Sequence, residues 1–231
     1  RDAFLFKMYQ AFGHHFDFIA IPIIKKRLRM DTSKVIINEE RPKLTKHLAT
    51  RFQQKIGQNV NLLGEVVLGN KEADHRYFHY LEALESPDIN YISVKISGIY
   101  AQTHALNYNE SFPELVRRMS KLYQKAIDYP YVDEEGVKRP KFINLDMEEY
   151  KDAHFTMRLF KEVLSKPEFK DYSAGIVVQA YLPDAKGFQE ELLEFAKARV
   201  EAGGAPIKMR LVKGCNLEME SVISSLRGWP N

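Results

Sequence analysis

Residues 142–147 read Phe-Ile-Asn-Leu-Asp-Met, and residues 175–181 read Gly-Ile-Val-Val-Gln-Ala-Tyr. Both are short, nearly continuous apolar runs, which is typical of parallel strands buried on both faces. Three further runs have the same character, so strands are predicted at residues 60–67, 91–97, 142–147, 175–181 and 207–213. Each run is followed by a helical pattern, and this alternation predicts a parallel α/β sheet covered by helices.

The helical patterns between and after these strands complete five predicted βα units. They lie at residues 70–84, 111–127, 149–164, 186–202 and 217–226, the second opening with a capping box, Ser111-Phe-Pro-Glu114. The turn after the first strand, Leu68-Gly-Asn-Lys71, lacks the G-x-G-x-x-G pattern of dinucleotide-binding folds. By pattern alone, an open doubly wound sheet and a (β/α)8 barrel both remain open.

The region before the first strand is predicted to be helical. Apolar residues recur at helical spacing near the start of the chain, at Phe4, Leu5, Met8, Phe12 and Phe16. A second helix is predicted over residues 41–56, with Pro42 in its first turn. We therefore predict a helical N-terminal arm over residues 1–58 and an α/β domain over residues 59–231.

Composition excludes several classes of protein. The 231 residues include 34 Lys and Arg and 31 Asp and Glu, so the net charge of +3 does not indicate nucleic-acid binding. A single cysteine, Cys215, rules out an internal disulfide, and no apolar stretch approaches the roughly 20 residues that span a bilayer. We expect a cytoplasmic protein, and because the sequence opens with Arg1 we expect a segment of a longer chain.

The basic run at residues 25–29 follows an apolar stretch. This pattern fits a peripheral contact with an anionic membrane, and it equally fits a solvated helix end.

Charged or amide side chains lie at or near the carboxyl end of each predicted strand. They are Glu65, Lys95, Asp146, Gln179, and Arg210 with Lys213. Sheet interiors normally avoid such groups, because burying an unpaired charge costs several kcal/mol. Since active sites of barrels lie at the carboxyl ends of the strands, the pattern predicts a site for a polar ligand.

The residue types leave more than one chemistry open. Arg210, Lys95 and Lys213 suit anionic or electron-rich groups, whereas Asp146 and Glu65 suit a cation. A buried lysine also forms Schiff bases, so an aldolase-like barrel enzyme is one alternative. A non-catalytic assembly module is another. No metal site is predicted.

Five motifs, one on each predicted strand, resemble the proline dehydrogenase domain of the bifunctional proline utilization enzymes (proline dehydrogenase / L-glutamate γ-semialdehyde dehydrogenase). They are Asn61-Leu-Leu-Gly-Glu65, Ile92-Ser-Val-Lys-Ile-Ser97, Asn144-Leu-Asp-Met-Glu-Glu149, Gly175-Ile-Val-Val-Gln-Ala-Tyr181 and Arg210-Leu-Val-Lys-Gly214. The resemblance covers residues from about 59 to the end. The preceding helices are similar to the arm found before the barrel in these enzymes.

The resemblance implies a (β/α)8 TIM-type barrel, incomplete here at about five βα units and preceded by a helical arm. It implies FAD-dependent oxidation of L-proline to Δ1-pyrroline-5-carboxylate, with hydride transfer to the flavin and electrons passed to quinone. It also implies that the protein forms homo-oligomers and makes a peripheral contact with the inner membrane. Further strands, and a helix with arginines for the proline carboxylate, would follow Asn231. We therefore expect this segment alone to be incomplete for catalysis.

Residue roles follow from the same resemblance. Lys95, Asp146 and Glu65 are expected on the substrate side, where they serve catalysis. The residues expected to bind the cofactor are Gln179, Arg210, Val212, Lys213, Gly214 and Cys215. Asn216 is expected in the substrate pocket, where many family members have a tyrosine.

Overall fold

The computed structural model describes residues 17–33, 36–37, 41–62, 67, 69–101, 108–214 and 216–228. The chain divides into two compact units, Arg1–Lys55 and Ile56–Asn231. The arm and barrel domains, with their predicted boundary after residue 58, stay a prediction. The apolar repeat from Phe4 to Phe16 lies outside the described residues.

The first unit contains two described helices, α1 (Asp17–Thr32) and α2 (Arg41–Gln53). Helix α2 ends earlier than the predicted residue 56. The reason is local, because Lys55 adopts a φ of 58°, a left-handed conformation that cannot continue a right-handed helix.

The second unit is built on a parallel sheet. Among the described residues its strands are β1 (Val60–Asn61), β2 (Tyr91–Lys95), β5 (Phe142–Asp146), β6 (Gly175–Gln179) and β7 (Lys208–Val212). A separate antiparallel hairpin, β3 (Tyr131–Val132) and β4 (Lys138–Arg139), lies between β2 and β5 in the chain. In the large sheet each strand neighbours the next one along the chain.

This strand order decides between the two folds that pattern alone left open. A doubly wound sheet reverses its order at a switch point, whereas a barrel adds each strand beside the last. The order β1-β2-β5-β6-β7 has no reversal, so the sheet is an arc of about five units of a (β/α)8 barrel. The predicted fold class is confirmed.

Helices connect the strands and cover one face of the sheet. They are α3 (Asn70–Glu85), α4 (Ile96–Ile99), α5 (Tyr108–Asp128), α6 (Ala153–Leu164), α7 (Ala185–Glu201) and α8 (Leu217–Arg227). Short 3₁₀ turns lie at Tyr150–Asp152 and Pro167–Phe169. Helix α3 contacts β2, α5 contacts β5 and α7 contacts β6.

The two faces of the sheet differ in chemistry because side chains alternate along a strand. The helix-covered face carries fully buried apolar residues, namely Ile92, Val94, Ile143, Leu145, Ile176 and Val178. The other face carries polar residues that the in-register pairing brings side by side. Ser93 pairs with Asn144, and Lys95 with Asp146.

Two local expectations are wrong. Helix α5 begins at Tyr108, so Ser111 lies buried inside it instead of capping its start. Ser97, predicted to end the second strand, lies in helix α4, because β2 ends at Lys95.

The edge of the sheet where the strands begin is held by two buried cations. Lys141 is fully buried, and its Nζ donates to the carbonyl of Ser86. Burial lowers the pKa of Lys141 to about 8. The guanidinium of Arg199 donates to the carbonyls of Leu164, Phe169, Lys170, Tyr172 and Ala205. These carbonyls lie outside the sheet ladder, so Arg199 satisfies polar groups that would otherwise be costly to bury.

Gly175, the first residue of β6, allows the close approach of β5. A Cβ added there would lie 2.6 Å from Oδ1 of Asn144 and 2.9 Å from the ring of Phe142. Gly187, exposed within α7, has nothing within 4 Å of the same position.

We therefore expect Gly175→Ala to lower the free energy of unfolding by about 1–3 kcal/mol, because the packed side chains of Asn144 and Phe142 must move aside. Gly187→Ala is the matched control, and we expect it to be neutral or to stabilise α7 by up to about 1 kcal/mol. Thermal unfolding of the two variants measures the difference. Equal melting temperatures would contradict the close packing of these strands.

Candidate functional site

Asp146, the last residue of β5, lies at the centre of the polar face. Its Oδ1 accepts hydrogen bonds from Asn144 Nδ2 at 2.7 Å, Arg210 NH2 at 2.7 Å and Ser93 Oγ at 3.3 Å. The side chain is only about one-tenth exposed. Burial raises the pKa of Asp146 above its ordinary value, although Arg210, Ser93 and Asn144 act in the opposite direction.

The donors reach Asp146 because the strands are in register. Ser93 and Asn144 lie two residues before the ends of β2 and β5, on the face that also carries Asp146. Arg210 pairs with Val177 on β6 and reaches across that strand to the carboxylate. Arg210 therefore sits in the middle of β7, two residues before the strand ends at Val212.

A second cluster is formed by Lys95, Glu148 and Ser97. Nζ of Lys95 lies 2.6 Å from Oε1 of Glu148, and Ser97 Oγ donates to Oε2 at 2.6 Å. Both charged side chains are about one-third exposed, at 29% for Lys95 and 34% for Glu148. The ammonium is therefore fixed in place while it remains open to solvent and ligand.

Three buried polar atoms on this face have no hydrogen-bond partner in the described structure, and one of them is Oδ1 of Asn144. Gln179 donates through Nε2 to the carbonyl of Glu148 at 3.1 Å, which leaves its Oε1 buried and unpaired. Nε of Arg210 is likewise buried and unpaired. Because such atoms are costly to leave unsatisfied, an acceptor and a donor together indicate a ligand that both donates and accepts.

The chain turns sharply after β7. The carbonyls of Val212 and Lys213 accept from the amides of Ala180 and Tyr181, at 2.8 and 3.2 Å, so pairing with the β6 side continues beyond the strands. Gly214 then adopts a φ of 107°, a left-handed region that side chains disfavour. A Cβ at Gly214 would lie 1.7 Å from Cε1 of Tyr181, so only glycine fits at this position.

Other binding signals are absent from the part of the chain that the structure describes. There, no group of three His, Cys, Asp or Glu residues is placed to hold a metal ion. Within the same residues, none of the helices has the length and apolar character to cross a membrane.

The model of the family described as proline dehydrogenase matches residues 44–231. The chain belongs to the proline dehydrogenase family. No curated protein matches it. The proline dehydrogenase family is a flavoenzyme family, and its members are oxidoreductases.

The chain is similar to solved structures of proline utilization A (PutA) proteins. PutA from Corynebacterium freiburgense is 43% identical with a TM-score of 0.80, over 88% of this chain and 20% of that chain. PutA from Bdellovibrio bacteriovorus, inactivated by N-propargylglycine, is 30% identical with a TM-score of 0.76, over 93% and 23%. The match to PutA from Bradyrhizobium japonicum, at 23% identity and a TM-score of 0.62, shows the fold alone. The chain thus spans about a fifth of the length of these relatives.

The structure places Lys95, Asp146, Gln179 and Arg210 on one face of the sheet. Val212 is the last residue of β7 and pairs with Gln179, and Lys213 and Gly214 follow it. Asn216 lies just before α8, and its Nδ2 donates to the carbonyl of Glu148 at 2.8 Å. Glu65 and Cys215 lie outside the described residues. The roles of all these residues stay a prediction.

Sequence reasoning missed three residues of this site: Ser93, Asn144 and Glu148. The first two could have been found from period two, since each lies two residues before a polar strand end on the same face. Glu148 lies two residues beyond the end of β5, outside the strand-end pattern. Its contact with Lys95 joins residues 53 positions apart, and no local pattern reports such a contact.

Substitution of Gly214 tests whether the tight turn after β7 supports the site. We expect Gly214→Ala to lower thermal stability and flavin content, because it adds a collision with Tyr181 to the cost of a left-handed alanine. Gly136→Ala is the matched control, with a φ of 80° and nothing within 4 Å. In the control, the free energy of unfolding should fall only by the cost of placing alanine in a left-handed conformation, about 1–2 kcal/mol. Equal losses of stability in the two variants, with flavin retained in both, would contradict this reading.

Proposed function

We propose that the protein carrying this chain oxidises L-proline to Δ1-pyrroline-5-carboxylate, with FAD as its cofactor and quinone as the electron acceptor. The proposal is carried by the family match over residues 44–231. It is supported by the polar face, which offers fixed cations, a buried carboxylate and unpaired hydrogen-bonding atoms together.

The unpaired atoms fit the edge of a flavin ring. That edge alternates hydrogen-bond acceptors with one N–H donor, and it would satisfy both Arg210 Nε and Gln179 Oε1. When bound, FAD would accept the hydride that leaves the proline ring carbon next to nitrogen. The guanidinium of Arg210 stabilises negative charge that develops beside it. Val212, Lys213, Gly214 and Cys215 are proposed to lie along the cofactor.

The remaining charges suit proline itself, which carries a carboxylate and a charged ring nitrogen. We assign the ammonium of Lys95 to the substrate carboxylate and the carboxylate of Asp146 to the ring nitrogen. Glu65 is proposed near the entrance and Asn216 beside the pocket. Held between these groups, the substrate would present one ring carbon to the cofactor in a fixed orientation, which lowers the entropic part of the barrier.

Transfer of electrons to a membrane quinone requires contact with a membrane surface. The basic run of α1 and its exposed apolar side chains, including Phe18, Ile23 and Leu28, support a peripheral contact. We propose such a contact at the inner membrane. That the protein forms homo-oligomers stays a prediction.

The deciding experiment is the visible spectrum of the whole natural protein that contains this sequence. We expect a flavin spectrum that bleaches when L-proline is added without oxygen, because hydride transfer reduces the ring. D-proline serves as the control for substrate recognition. A colourless protein that FAD does not reconstitute would refute the proposal. Trapping of a substrate on lysine by borohydride would then support the Schiff-base alternative.

The buried carboxylate gives the reaction a distinctive pH dependence. Asp146 binds a positively charged ring nitrogen only when it is ionised. Since burial raises its pKa above the usual 3.8, kcat/KM for proline should begin to fall, as the pH is lowered, sooner than an ordinary aspartate would allow. The fall in kcat/KM is therefore expected above pH 3.8, and at still higher pH, where Asp146 is ionised, the activity is retained.

Asp146→Asn should abolish the fall of kcat/KM at low pH, which we call the acid limb of the profile. It should also lower kcat/KM near neutral pH by roughly 10- to 100-fold, the effect of one charge-assisted hydrogen bond. Asp128→Asn, an exposed substitution at the end of α5, is the control and should leave the profile unchanged. Retention of the acid limb by Asp146→Asn would exclude Asp146 as its source.

A further inference from the structure

We propose that Glu148 is a positioning residue of this site, whose carboxylate holds the ammonium of Lys95 ready for the carboxylate of proline. The inference rests on the proposed function and deepens it. It assigns a task to a residue that the strand-end pattern does not include, because Glu148 follows β5 by two residues.

Lys95 has two carboxylates within reach of its end of the sheet. It is in register with Asp146, yet its Nζ lies 2.6 Å from Oε1 of Glu148. Oδ1 of Asp146 already accepts from Ser93, Asn144 and Arg210. Glu148 therefore keeps the ammonium away from Asp146, and the two opposite charges remain separately available to the two ends of an amino acid.

Glu148 is itself held from the other side. Ser97 Oγ donates to its Oε2 at 2.6 Å, so each carboxylate oxygen has one fixed donor. A lysine side chain with several rotatable bonds loses much freedom when it binds a ligand. Fixing it beforehand removes part of that cost, which corresponds to about a two- to tenfold gain in affinity.

The main chain of Glu148 has a separate task. Its carbonyl accepts from Gln179 Nε2 at 3.1 Å and from Asn216 Nδ2 at 2.8 Å. These bonds orient the amide proposed to face the cofactor. Because a side-chain substitution leaves the carbonyl in place, changing Glu148 should alter substrate binding and spare cofactor binding.

The test uses the whole natural protein and the variant Glu148→Gln, which keeps the shape and removes the charge. We expect the KM for L-proline to rise about two- to tenfold, with kcat within about a factor of two and the FAD content unchanged. Glu149→Gln is the matched control. Its partner Lys151 is about half exposed, so the control should leave KM and kcat as they are.

A double-mutant cycle shows whether Glu148 acts through Lys95. Lys95→Met should raise KM by itself, and adding Glu148→Gln to it should cause no further rise. Independent, additive effects would overturn the inference, as would a Glu148→Gln enzyme with unchanged KM or with lost FAD. A wild-type protein that does not oxidise proline would overturn the proposed function, and this inference with it.

Discussion

The site depends on one buried carboxylate. Removing the charge of Asp146 from water costs several kcal/mol unless donors surround it. Those donors come from β2 through Ser93, from β5 through Asn144 and from β7 through Arg210. The ion pair forms only if β6 separates β5 from β7 at the correct register, so the chemistry of the site and the alignment of four strands depend on each other.

Alternation of side chains allows the sheet to carry both a core and a site. On β5, Ile143 and Leu145 are fully buried against helices, while Asn144 and Asp146 point to the opposite face. A slip of one residue in the register would bury the polar residues among helices and expose the apolar ones. The apolar face therefore stabilises the positions that the polar face needs, and Gly175 leaves room for the side chains of Asn144 and Phe142.

Cationic side chains have different partners at the two ends of the sheet. At the start of the strands, Lys141 and Arg199 are engaged by backbone carbonyls. At the other end, Lys95 and Arg210 face carboxylates and keep exposed or unpaired donors. In the described residues β7 pairs on one side alone, and its side chain Leu211 is exposed.

Much of this arrangement is predictable from the chain alone. Apolar runs of strand length identify β2, β5, β6 and β7 to within two residues, because such runs are determined by burial on both faces. The first predicted strand, residues 60–67, begins as predicted at Val60, and part of it lies outside the described residues. The ends are less predictable, and the errors have local causes. Lys55 ends α2 by a left-handed conformation, and Ser111 lies one turn inside α5. Period two places Ser93 with Lys95 on one face of β2, and Asn144 with Asp146 on one face of β5, even without a structure.

The sequence by itself determined the alternating α/β pattern, the polar strand ends and, through its motifs, the family. Each of these is a property of residues close together in the chain. Only the tertiary structure decided the strand order, the pairing of Arg210 with Asp146 and that of Lys95 with Glu148. These partners lie 64 and 53 residues apart, and which of several charges meet depends on how the strands align and which donors each carboxylate already has.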